Sequence, residues 1–155
     1  KGVNEKCILT NPDLVPKPAY FAYQNLCSAM DNRYKISDVD HTLTVLDQGM
    51  FYGIGPEDDA FPSVPLVATF KTSDEHHLIA YWLAWHPQEY TPDPATIELE
   101  LRKCNFDKPV RIDLLSGEVF EITDFEMSQD KILFKNLPLS DYPFIIAELD
   151  ELNIR

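Results

Sequence analysis

The chain has 155 residues, of which 45% are hydrophobic, enough to fill the core of one ordinary domain. Its 26 acidic against 13 basic side chains give a formal net charge of -13, which repels phosphate backbones and anionic lipid and so excludes nucleic acid and the membrane surface as expected partners. No apolar run approaches the roughly 20 residues that span a bilayer.

The chain opens on Lys1, and the stretch from Lys1 to Asn11 is polar and holds no complete structural unit, so the start reads as cut from something longer. A secretory leader would lie upstream of such a cut, so these residues do not disclose location in the cell. Asn11-Pro12-Asp13-Leu14-Val15-Pro16-Lys17-Pro18 combines turn formers with prolines that can begin a helix but not continue one. A helix is expected from near Pro18 to about Asp31-Asn32, with Tyr20, Tyr23, Leu26, Cys27 and Met30 recurring at spacings of three and four along one stripe. That stripe needs a partner surface, either the domain that follows or one outside this chain. Cys7, Cys27 and Cys104 are odd in number and have no close pairing, a poor disulfide framework, and Cys27 reads as a small buried hydrophobe.

Beyond the helix the period changes to two. Strands are expected over Thr42 to Asp47 and, weakened by Gly49, Gly53 and Gly55, over Met50 to Ile54; the acidic stretch from Gly55 to Pro65 reads as a loop. Leu66 to Lys71 and His77 to Trp85 form a hairpin about Thr72-Ser73-Asp74-Glu75-His76. The second of these is apolar on both faces, with Leu78, Ala80 and Trp82 on one and Ile79, Tyr81 and Leu83 on the other, so it belongs in the middle of a sheet. Pro87 to Pro94 is a second long loop. Ile97, Leu99 and Leu101 alternate with Glu98, Glu100 and Arg102 as a half-buried strand, and Val110, Ile112 and Leu114 alternate with Arg111 and Asp113 before a turn at Ser116-Gly117 and a return strand, Glu118 to Ile122. Lys131 to Lys135 and Pro143 to Leu149 supply two more strands, separated by residues 136–141. The pattern predicts a mainly β fold: an antiparallel β-sandwich of about eight strands preceded by one amphipathic α-helix.

Three segments carry a resemblance: Pro16-Lys17-Pro18-Ala19-Tyr20-Phe21-Ala22-Tyr23-Gln24-Asn25-Leu26, the hairpin from Val110 to Val119, and Leu137-Pro138-Leu139-Ser140-Asp141-Tyr142-Pro143. Together they resemble the C-terminal region of bacterial glycoside hydrolases with a (β/α)8 catalytic barrel, where a helix of this type closes the barrel and a small β-sandwich follows. Ala80-Tyr81-Trp82-Leu83 is similar to the strand through the middle of that sandwich. The motifs are short and structural, and none of their residues is catalytic. The resemblance implies that residues 1–32 are the tail of a truncated barrel and residues 34–155 a C-terminal accessory domain. It also implies that the catalytic carboxylates lie on barrel strands outside this chain, that the barrel of the same polypeptide is its partner, and that the parent is secreted or periplasmic.

Chemistry within the chain itself has few candidates. A glycosidase needs two carboxylates facing each other across a sugar, whereas Glu98 and Glu100 share one strand face beside Arg102, the pattern of a solvated surface. His76-His77, after Asp74 and Glu75, suggests a metal clip, but adjacent strand residues point to opposite faces; His41 and His86 have no spaced partner. The sequence has no Gly-rich phosphate loop, nucleophile elbow or CxxC, and neither Cys27 nor Cys104 has a local base. The expectation is therefore no catalytic residue, no metal and no cofactor, and a structural domain docked through Tyr20, Tyr23, Leu26, Cys27 and Met30. The alternative is a carbohydrate-binding module that stacks polysaccharide on Trp85 and Tyr90, with Phe61 or Tyr52 as further aromatic candidates. A third reading makes the chain an enzyme through carboxylates that the sequence does not pair.

Overall fold

The computed structural model describes residues 8–10, 13–51, 64–84 and 93–152. Helix α1 (Pro18–Ala29) is followed by β1 (Lys35–Ser37), β2 (His41–Asp47), β3 (Pro65–Lys71), β4 (His77–Leu83), β5 (Ala95–Arg102), β6 (Pro109–Asp113), β7 (Val119–Glu121), β8 (Phe125–Met127), β9 (Lys131–Leu139) and β10 (Phe144–Glu148). All pairings are antiparallel, in a six-stranded sheet of order β1-β3-β4-β10-β6-β7 and a four-stranded sheet of order β2-β5-β9-β8.

Two cores hold these layers. Between the sheets, Ile79, Tyr81 and Leu83 of β4 with Phe144 and Ile146 of β10 meet Ile97, Leu99 and Leu101 of β5 and Ile132 and Phe134 of β9. On the other face of the six-stranded sheet, Leu78, Ile112, Ile145 and Ala147 pack beneath Leu26, Ala29 and Met30 of α1, with Tyr34 closing the end. A fully buried Leu or Ile contributes about 1.5–3 kcal/mol over an exposed one, so the helix layer is a substantial second core. A backbone bond from the Leu83 N–H to the Ser140 carbonyl, 2.7 Å, ties the two sheets together at one end.

The expected sandwich is present, with differences in detail. The described residues form ten strands, because the three-residue β1 and β8 are too short for periodicity to reveal. β9 does not stop at Lys135. The pairs Leu99↔Phe134 and Ile97↔Leu137 show one extra residue on β9, and Asn136 takes a left-handed φ of 51°, so the polar Lys135-Asn136 pair is a bulge within a strand that runs on to Leu139. Pro138 sits beyond the reach of β8, which pairs only with residues 132–134, and such single-sided stretches tolerate proline. Met50 lies in a turn, not a strand: Gly49 adopts a φ of 55°, its N–H donates to Asp47 Oδ1 at 2.9 Å, and the turn delivers Phe51 into the core. Residues 52–54 of that expected strand lie outside the described residues.

Candidate docking face and clefts

Pro18 occupies the first turn of α1, where its missing N–H costs nothing, and Lys17 before it is extended. The side that packs on the sandwich is the arc of Asn25, Leu26, Ala29 and Met30. Ala29 lets the helix come close, and Asn25 Nδ2 donates to the Leu114 carbonyl at 3.0 Å. The turn below is shaped to this contact: Gly117 has a φ of 76°, and a Cβ there would stand 3.0 Å from the Asn25 amide.

The expected stripe is therefore divided. Leu26 and Met30 face the sandwich, Tyr20 is half-buried, and Tyr23 and Cys27 face outward, with Tyr23 61% exposed. The reading of Cys27 as a buried residue is overturned. At about 100° per residue, the packing arc is centred near Ala29, so Cys27 and Tyr23 fall beyond its edge. Apolar side chains outside that arc are exposed all the same: Phe21 and Tyr23 on its two flanks, and Leu14 and Val15 in the segment leading into the helix, are each more than 40% exposed.

The other candidates disperse. Glu100 accepts from Lys131 Nζ at 2.8 Å and pairs with Arg102 at 3.1 Å. The Lys131 hydrogen bond holds its pKa below the ordinary range, so it stays ionised and is no general acid at neutral pH. His76, in the connection before β4, and His77, its first residue, diverge. His76 reaches Glu151 at 3.3 Å, whereas His77 turns inward against Phe106, 6.5 Å between ring centroids. His77 Nδ1 is buried without a partner, and burial lowers the pKa of the ring against the pull of Glu75. It lines a 560 Å³ cleft at this end of the sandwich, with Asp38, Asp40, Arg102, Lys103 and Asp130 among the walls. Among the described residues, no group of three or more His, Cys, Asp or Glu is placed to hold a metal ion. Cys104 is buried, which pushes its pKa up to about 12 and keeps the thiol inert. Trp85, Tyr90, Tyr52, Phe61 and His86 lie outside the described residues.

One constellation was not visible in sequence. Alternation in β6 suggests Arg111 and Asp113 as water-facing, but here the apolar face of β6 turns to the helix layer and its polar face turns between the sheets. Arg111 lies beside Phe120 and Phe144, and Tyr142 OH donates to Asp113 Oδ2 at 3.2 Å. Burial and the Asp113 charge push the Tyr142 pKa up to about 12. The register of β6 on β7, which places Phe120 opposite Arg111, is the signal that pattern reading overlooked. Compared with known proteins, the chain matches no family model and no curated protein.

Proposed function

We propose that this chain is a non-catalytic accessory domain that supports a catalytic barrel of the glycoside hydrolase type, with α1 as the element between them. The observation that carries this reading is the two-sidedness of α1. Leu26, Ala29 and Met30 seat it on the sandwich, while Phe21, Tyr23, Leu14 and Val15, outside the packing arc, are left exposed. Several large apolar side chains left exposed on and next to one element favour contact with another protein surface. The motif resemblance supplies the identity of the partner, a barrel whose last helix α1 would be. The carboxylates fit a supporting role, since Glu100 is neutralised by Lys131 and Arg102.

Two measurements test it. The isolated chain is incubated with an array of plant and host polysaccharides, and both binding and released sugar are read. The expected result is neither. Released sugar would overturn the accessory reading, and binding lost in Trp85→Ala or Tyr90→Ala would replace it with a carbohydrate-binding module. In a polypeptide that joins the chain to its barrel, Phe21→Asp with Tyr23→Asp should split one cooperative unfolding transition into two. A transition that stays single removes the docking role of α1.

A further inference from the structure

Between the sheets, at the β6–β7 margin, lies a cation without a counter-ion. The Arg111 guanidinium carbon is 4.5 Å from the Phe120 ring centroid on β7 and 5.4 Å from that of Phe144 on β10. Nε is buried and has no acceptor, and among the described residues no ion pair or hydrogen bond reaches the guanidinium. Asp113, the acid on the same face of β6, is already engaged: Oδ1 accepts the Leu115 and Ser116 N–H groups and Oδ2 accepts Tyr142 OH. Beside Arg111 a cavity of 150 Å³ opens between Phe120, Thr123, Lys135 and Leu137.

We infer that this cavity binds a single carboxylate group, received by the in-plane N–H edge of Arg111 and covered by Phe120. Aromatic rings attract a guanidinium but are at best weak acceptors of its N–H groups, so the two flanking rings leave those donors without a strong acceptor. The planar acceptor that matches such a fork is a carboxylate. The rim sets the charge that is tolerated. Lys135 is held by Glu126, Asn136 Nδ2 donates to Asp124, and Glu121 and Asp124 stand at the wall, so a monoanion is admitted in preference to a phosphate dianion. Its volume admits the carboxylate end of a ligand, borne by either a small free acid or a uronic acid.

The Arg111 Nε–H resonance of the ¹⁵N-labelled chain, followed by NMR, is the readout. Sodium propionate, sodium glucuronate, sodium phosphate and sodium chloride are titrated at matched ionic strength. A saturable shift with a carboxylate, at about millimolar affinity, is expected, with none for chloride and a weaker response for phosphate. Saturation by glucuronate alone identifies a sugar-borne group, and saturation by both identifies the carboxylate as sufficient. Arg111→Lys keeps the charge and loses the fork, so affinity read at the Phe120 and Thr123 amides should fall roughly tenfold. If that variant does not fold, Phe120→Ala, at a position 39% exposed, decides by the same loss. Shifts that stay linear and equal to those of chloride, or an affinity unchanged in whichever variant folds, overturn the inference.

Discussion

Strands β4 and β5 occupy comparable interior positions in their sheets, yet their sequences read differently. β4 is apolar from Leu78 to Leu83 and covered on both faces, with only Ala80 and Trp82 half-buried, whereas β5 alternates fully buried Ala95, Ile97, Leu99 and Leu101 with half-buried Thr96, Glu98 and Glu100. Both meet the inter-sheet core through one face. The difference lies on the other face, where β4 is roofed by the α1 layer and β5 meets water. A strand's second face thus reports whether another layer lies over it, and the composition of β4 signals α1 from more than 40 residues away.

The sharpest way to break this comparison is to delete matched side chains. Leu78 and Leu99 are both fully buried, one beneath α1 and the other between the sheets. Leu78→Ala and Leu99→Ala are each expected to lower stability by about 2–5 kcal/mol in urea unfolding. A cost for Leu78→Ala that is a small fraction of the other would mean that the helix layer is not a core. The next effect in size belongs to α1 itself: Leu26→Ala should cost about 1–2 kcal/mol, as half-buried aliphatics do. Outward-facing Tyr23→Ala should stay within about 0.5 kcal/mol in the isolated chain. Equal losses at the two positions would refute the division of the stripe.

The smallest effect concerns pH. Burial holds the His77 pKa below its ordinary 6.5, so as pH falls the unfolded chain takes up that proton first. Stability is unaffected well above 6.5, declines as pH drops below it, and levels off below the folded-state pKa. Urea midpoints at about pH 8 and about pH 5.5 should therefore differ, and His77→Gln should remove the part of the difference that begins near 6.5. Loss of the Glu100 ion pairs contributes only at lower pH, because that carboxyl starts from 4.5 and is shifted down. A wild-type pH profile retained in the variant would assign the decline to other groups.

The fold was legible wherever a layer imposed a period. The alternation of β5, the doubly apolar β4 and the Pro18 helix start are each a direct imprint of what lies on either side of the backbone. What periodicity cannot carry is direction. In β6 the apolar face goes to the helix and not to the larger core, so Arg111 reads as solvent-facing until the register with Phe120 is known. In α1 the spacing of three and four admits more than one stripe, and the placement of the small Ala29 chose the neighbouring arc, which turned Cys27 out. Asn136 broke the pattern of β9 by forming a bulge, and its left-handed conformation, accessible to asparagine at little cost, is read as readily for a turn.

The strand order of the larger sheet bears on how the molecule is made. Among the described residues β10 is the last strand and yet lies in the middle, paired to β4 on one side and β6 on the other, with Glu148 at its end accepting the Asp107 and Lys108 N–H groups at 2.8 and 2.6 Å. During synthesis, β1-β3-β4 and the β6-β7 hairpin leave the ribosome as separate half-sheets with no strand to join them. Until Phe144–Glu148 arrives, each presents an unpaired edge, with Leu78, Ile79 and Leu83 on β4 and Val110 and Ile112 on β6. Closure depends on pairing distant stretches of chain, which slows it and prolongs the time for which both edges stay unpaired and adhesive.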